Sequence, residues 1–195
     1  MRAPEEFQTN RLRLRPVALA DAEEIFQTYA GEAEPTLFMP FVRHRDIAES
    51  LTFAERCDGC WKIGSAFPWA IIDKASGKLI GVLELRLSPP KADFGFILGK
   101  PFWGYGFASE AASAVVEWAI TQPEIFRVWA TCHPRNVASA SVLRKAGLRL
   151  EATPNRPNPT LNCHGRRREA VYNRQIRRGH KTPRWLTIRG ATLQC

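Results

Sequence analysis

The chain has 195 residues, 45% hydrophobic and 24% charged, the proportions of a soluble globular protein long enough to bury a core without disulfide or metal staples. Its 28 Lys and Arg exceed its 19 Asp and Glu, and a net charge of +9 suits an anionic ligand, a phosphorylated cofactor or nucleic acid. The sequence has no apolar run of about 18 residues, as a membrane-spanning helix needs, and MRAPEEFQTN lacks the apolar stretch of a signal peptide, so a cytoplasmic protein is expected.

In chain order, RLRLRPV (11–17) alternates polar and apolar residues and reads as a strand. LADAEEIFQTYA follows as an amphipathic helix with Asp21 as its cap, and Pro35 and Pro40 then break the chain. RDIAESLTFAERC (45–57) has helical spacing at Ile47, Leu51 and Ala54. FPWAIID (67–73) and LIGVLELRL (79–87), joined by a turn at Gly77, predict a hairpin. After the break SPPKA, DFGFILG (93–99) is a third strand, KPFWGYGF a loop and SEAASAVVEWAI a helix. FRVWATC (126–132) is a buried strand, HPRN a turn, VASASVLRKAG a helix closed by Gly147, and LRLEA another strand. A Pro/Asn-rich loop, TPNRPNPTLN, leads to a last strand in RREAVYNRQI. The order predicts an α+β fold, a mixed, mostly antiparallel sheet flanked by helices. One domain over 1–178 is expected, with a basic tail over 179–195; residues 176–195 carry five Arg and Lys and no acid, and RRR at 166–168 adds to them.

Cys57 and Cys60 form a C-x-x-C, but no second pair exists to complete a zinc ribbon, and the strand-to-helix context of a redox motif is missing. Two thiols near a helix end is the better reading. His44, His133 and His164 stand alone in loops, so no metal site is expected.

The stretch WGYGFASEA (103–111) places Gly104 and Gly106 directly before a helix. A helix start offers free N–H groups and partial positive charge, and glycines ahead of it let the backbone curl around an anion such as a pyrophosphate. Position 109 holds Ser where the dinucleotide fingerprint needs Gly or Ala, and the Gly-Lys-Ser/Thr of a P-loop is absent. Taken alone, the stretch serves equally as a tight turn.

Read together, TNRLRLRPV, GKLIGVLELR, DFGFILGKPFWGYGFASEA, NVASASVLRKAGL and GRRREAVYNR resemble, in order and spacing over residues 9–174, the GNAT acyltransferase superfamily. The likeness is nearest to its branch of ribosomal-protein N-terminal (alanine or serine) acetyltransferases. The resemblance implies transfer of an acetyl group from acetyl-CoA to an amine, without a metal. The superfamily's pyrophosphate loop, Q/R-x-x-G-x-G/A, falls on Trp103, Gly104, Tyr105, Gly106, Phe107 and Ala108, with Trp103 departing from the usual Gln or Arg and Ser109 next in line. Ile97 and Leu98 would offer backbone groups to the pantetheine arm. Asn136 would hydrogen-bond the same arm, cap its own helix, or do both, and Lys145 on that helix joins the donor site.

The reaction needs a positioned amine, a proton acceptor, and help for the oxyanion and the leaving thiolate. Where many members have a Tyr seven residues after the Asn, this chain has Leu143, and Ser139 is the candidate donor to the sulfur instead. Glu84, sharing a strand face with Val82 and Arg86, is the candidate base; an ordinary surface carboxylate is the alternative. Glu110 reads as a helix-end charge, Asp93 as a weaker base candidate, and Cys132 as buried packing. The acceptor is expected to be a protein N-terminal amine, with a small amine (polyamine, amino acid or antibiotic) as alternative. A CoA-binding protein without turnover, or an RNA-binding protein using the basic tail, are rivals of another class, and a homodimer is compatible with the resemblance.

Overall fold

The computed structural model describes residues 2–152 and 170–175. β1 (Phe7–Gln8) pairs antiparallel with β2 (Leu12–Pro16), and Thr9 closes the turn by donating its N–H to the Leu12 carbonyl at 2.9 Å. α1 (Ala22–Ile25) runs into a π-helical segment, Phe26–Ala30, and is followed by the single turn α2 (Ala33–Thr36). Asp21 stands at the N-cap of α1, as expected, but its side chain makes no cap hydrogen bond to that helix. Its carboxylate takes a two-pronged grip from Arg15, at 2.7 Å for each oxygen, and accepts the Ala18 N–H at 2.8 Å.

α3 (Ile47–Ile63) begins at Asp46, whose side chain accepts the Glu49 N–H at 3.2 Å, and ends at Gly64 with φ 73°. It outruns the helix expected over 45–57, so Cys57 and Cys60 lie within the helix, one turn apart. Cys57 is buried, and burial pushes its thiol up to about 12, which makes it inert packing.

β3 (Ala66–Asp73), β4 (Leu79–Ser88) and β5 (Lys91–Leu98) form the expected antiparallel meander, with Glu84 opposite Pro68 on one side and Gly95 on the other. SPPKA is a tight hairpin turn rather than a break, and β5 starts two residues earlier than the predicted 93. α4 (Phe107–Ile120) crosses over to β6 (Arg127–Cys132), which lies parallel to β5. α5 (Val137–Lys145) leads to β7 (Arg149–Ala152), and β8 (Ala170–Gln175) inserts between β6 and β7. The eight strands run in the order β1-β2-β3-β4-β5-β6-β8-β7, and every pairing except β5–β6 is antiparallel. The α+β expectation of a mixed, mostly antiparallel sheet with flanking helices is thus the observed fold. The loop 153–162, His164, the RRR run and the tail lie outside the described residues.

Strand alternation splits the core between two faces. Leu14, Trp69, Ile71, Leu83, Leu85 and Phe94 pack on one face against Ala112, Val115, Val116 and Ala119 of α4 and Leu143 of α5. Ala70, Ile72, Val82 and Ile97 pack on the other against Ile25, Tyr29, Ala54 and Cys57. Glu84 and Arg86 continue the Val82 row, so they stand on the α1/α3 face, opposite α4.

Leu83→Ala removes a side chain with no exposure from the centre of the sheet and is expected to cost about 3 kcal/mol in urea unfolding. Ile63→Ala, at a site 81% exposed, should cost less than about 0.5 kcal/mol.

Candidate functional site

The parallel pairing of β5 with β6 runs only from Lys91↔Arg127 to Asp93↔Trp129. Beyond Asp93 no residue of β5 pairs with β6, whose other edge is paired with β8 from Arg127 out to Cys132. The sheet therefore has a gap between β5 and β6 that joins its two faces. Because β5 and β6 are parallel, the helices that follow them, α4 and α5, both start at this open end, where ligands of parallel strands bind.

At the start of α4, Gly104 and Gly106 hold φ of 84° and 85°, a left-handed conformation that strains any residue with a Cβ. Gly106 is the N-cap and no side chain caps the helix, so the first N–H groups of α4 are left for a ligand. Successive N–H groups turned inward before a helix start fit a pyrophosphate.

Arg11 pins the loop from below. Its guanidinium donates to the Tyr105 carbonyl at 2.9 Å, pairs with Glu110 at 2.7 Å and stacks over the Phe107 ring at 4.6 Å. A Cβ at Gly106 would lie 3.5 Å from the guanidinium, so a cation stands beside the nest. Glu110 also accepts from the Thr9 hydroxyl at 2.6 Å and the Arg11 N–H at 2.9 Å. Burial pushes the Glu110 carboxyl up, but these hydrogen bonds and the Arg11 charge outweigh it and hold it below its ordinary value. Trp103, half exposed, donates its indole N–H to the Leu98 carbonyl at 2.8 Å.

The two β5 residues expected to meet a donor differ in direction. The Ile97 carbonyl turns to β4, where a Cβ on Gly81 would come within 2.2 Å of it, and Gly99 donates to the Ile80 carbonyl at 2.9 Å. Leu98 between them turns its backbone to the gap, as its bond from Trp103 shows.

At the start of α5, Asn136 caps the helix by accepting the Ser139 N–H at 3.0 Å. Its side-chain carbonyl is thereby used, and its NH2 is the donor left for a ligand. Ser139 is half-buried in the first turn, whereas Lys145 is exposed in the last, about 9 Å further along the helix. Phe38, after α2, stacks on His133, after β6, with ring centroids 5.1 Å apart. The loops on the two sides of the sheet's open end thus touch.

On the opposite face Glu84 sits in a chain of ion pairs. Arg56 of α3 donates to its Oε2 at 2.9 Å, and Arg86 donates to its Oε1 at 3.2 Å. Arg86 also binds Asp93, with Nε 2.7 Å from Oδ2. The Arg86 guanidinium lies over Gly95, 3.7 Å from where a Cβ would stand, just past the last β5–β6 pair. Burial works to lower the Arg86 guanidinium, and Asp93 and Glu84 more than offset it, raising it above its ordinary value. Among the described residues no three His, Cys, Asp or Glu side chains gather as metal ligands would, and no helix is long and apolar enough to cross a membrane.

The sequence named the glycine loop, Asn136, Ser139 and Glu84. It did not single out Arg11, Arg56 or Phe38. Arg11 stood inside the quoted piece TNRLRLRPV, but its pairing with Glu110 joins residues 99 positions apart.

Glu110 yields a pH prediction. Its contribution to stability is complete above the ordinary glutamate value, about 4.3, and is lost as pH falls through its lower folded value. Glu110→Gln should cost about 1–2 kcal/mol at pH 7 and flatten the fall in stability below about pH 4.5, read from urea melts across pH.

Comparison with known proteins agrees with this geometry. A family model described as an acetyltransferase (GNAT) domain matches residues 11–149. The uncharacterized N-acetyltransferase YnaD of Bacillus subtilis is 36% identical over 146 residues, 73% of this chain and 82% of that protein. The Salmonella typhimurium acetyltransferase that modifies the N-terminal serine of the 50S ribosomal protein L7/L12 superposes with a TM-score of 0.73 at 20% identity, covering 87% of this chain and 97% of that one. The microcin C7 self-immunity acetyltransferase MccE, solved with acetyl-CoA and AMP, superposes with a TM-score of 0.74 at 21% identity, covering 86% and 94%. The glycine loop at an uncapped helix start, the gap beside it and the matched family model together place this chain in the GNAT family, as an acetyl-CoA-dependent N-acetyltransferase.

Proposed function

We propose that the acceptor is the α-amine of a protein N-terminus, which reaches the gap from the α1/α3 face while acetyl-CoA lies on the α4/α5 side. The observation that carries this reading is the gap itself: it connects an anion nest on one face with the Glu84 carboxylate on the other. The fold shared with an enzyme that modifies an N-terminal serine supports the acceptor class.

Each residue then has one task. The N–H groups of Phe107, Ala108 and Ser109, with the backbone of the preceding Trp103–Gly106 loop, hold the pyrophosphate. Arg11 keeps that loop in place and adds positive charge. The Leu98 backbone and the Asn136 NH2 hold the pantetheine arm. Lys145, at the far end of α5, serves the adenosine phosphates. Acetyl-CoA supplies the activated acetyl group. Glu84 receives a proton from the attacking amine as the C–N bond forms and the C–S bond breaks, and Ser139 donates a hydrogen bond to the departing sulfur. No covalent enzyme intermediate is needed, which leaves Cys132 as packing.

Calorimetry with acetyl-CoA and CoA tests the donor half. The wild type should bind both, and Gly106→Val, which forces a branched side chain into the left-handed region, should lose both. Unaltered binding by the variant would remove the nest from the account. Glu84→Gln should lower the turnover rate at neutral pH by about 100-fold or more with CoA affinity unchanged, and an unchanged rate would remove Glu84. A mass-spectrometric screen of peptides and small amines should show acetylation of peptide N-termini; exclusive acetylation of polyamines would contradict the acceptor class.

A further inference from the structure

Glu84 is engaged on both oxygens. Arg56 holds Oε2 at 2.9 Å and Arg86 holds Oε1 at 3.2 Å. The two guanidiniums are not equally bound. Arg86 spans two carboxylates, Glu84 and Asp93, whereas Arg56 pairs with Glu84 alone among the ion pairs of the described residues. The remaining contacts of Arg56 are weak ones, the Cys60 sulfur at 3.7 Å and the Phe53 ring at 5.0 Å. Its side chain is 47% exposed, against 13% for Glu84.

An ammonium that approaches Glu84 has to displace one guanidinium. Asp93 anchors Arg86 beside Glu84 through Nε and the second guanidinium nitrogen, whereas Arg56 has no second carboxylate to hold it, so Arg56 is the group that leaves. If the acceptor carries only positive charge, Arg56 loses its carboxylate and faces a second cation at close range, which is unfavourable. If the acceptor carries a carboxylate near its amine, one pair is exchanged for two: the ammonium takes the place of Arg56 on Glu84, and Arg56 takes the acceptor's carboxylate. The guanidinium fork suits a carboxylate for geometric reasons, and the Phe53 ring gives it a surface to stay on while it changes partner.

We propose that Arg56 is a specificity-determining residue that selects acceptors bearing a carboxylate close to the reacting amine. This rests on the reading that Glu84 faces the acceptor. The carboxylate can be an acidic side chain near a peptide N-terminus or the α-carboxylate of a free amino acid, and both present the same chemistry to Arg56. Polycationic amines are selected against by the same exchange.

CoA release by the full chain, measured with matched acceptors, tests the proposal. One pair is a Ser-Asp-Gly amide peptide against its Ser-Asn-Gly amide counterpart; the other is serine against serinamide. Wild type should favour the carboxylate-bearing member of at least one pair by about tenfold or more in kcat/KM, and the pair that shows it identifies the source. Arg56→Gln should collapse that ratio towards one through a higher KM for the carboxylated acceptor, and Arg56→Lys should retain part of it. A ratio near one in both wild-type pairs, a ratio that survives Arg56→Gln, or spermidine as the preferred substrate would each overturn the proposal. Acetyl-CoA calorimetry on the same samples separates the causes of failure. A wild type that does not bind acetyl-CoA contradicts the proposed function, whereas one that binds it and acetylates amines without regard to carboxylate contradicts only the role of Arg56.

Discussion

The parting of β5 from β6 after Asp93 is the constraint on which the rest depends. A sheet with continuous ladders would be a wall between its two faces. Here three paired residues hold the strands in a parallel start, and past Asp93 the strands separate, while β6 stays in the sheet through its other edge, where β8 pairs with it from Arg127 through Cys132. The gap leaves backbone groups of β5 without a strand to bond, a cost that a folded chain sustains where a ligand or side chain takes up the groups. The Trp103 indole does so at Leu98. Parallel strands also set both following helices with their N-termini at this end, so the anion nest and the Asn136 cap are consequences of the same topology.

Two ion-pair systems hold the faces of the gap. On the α4 side, Arg11 and Glu110 tie the N-terminal hairpin to the glycine loop, with Thr9 and Tyr105 as further contacts. A loop built on left-handed glycines has little intrinsic rigidity, and Arg11 supplies the rigidity from an element remote in sequence. On the α3 side, Arg56, Glu84, Arg86 and Asp93 form a row of alternating charge over Gly95. The first system uses its charges to fix a backbone. The second leaves one partner, Arg56, singly held, and so able to exchange.

Much of the fold was legible in the sequence because its signals are local. The meander of β3 to β5 follows from alternation and turn residues, and the crossover to β6 from a glycine-bounded amphipathic run. The two residues of β1 are too few to show alternation, although Phe7 packs edge-on against Trp69 and Trp118 at 5.3 and 5.9 Å. α3 continues past Asp58 and Gly59, poor helix formers, to place Trp61 edge-on against Phe67 and Trp69 with its indole N–H on the Pro68 carbonyl at 3.0 Å, so packing overrides propensity. At the site, the glycine loop and Asn136 announce themselves through short-range patterns. The Arg56–Glu84 pair, 28 positions apart, and the Phe38–His133 stack depend on tertiary placement, which no spacing rule encodes.

Amide hydrogen exchange with and without acetyl-CoA tests the central claim, that the gap is where the donor binds. Protection should rise in two separate segments, around residues 94–109 and 132–139, which flank the gap from β5 and β6. Protection confined to other parts of the sheet, or none in either segment at saturating acetyl-CoA, would contradict the account.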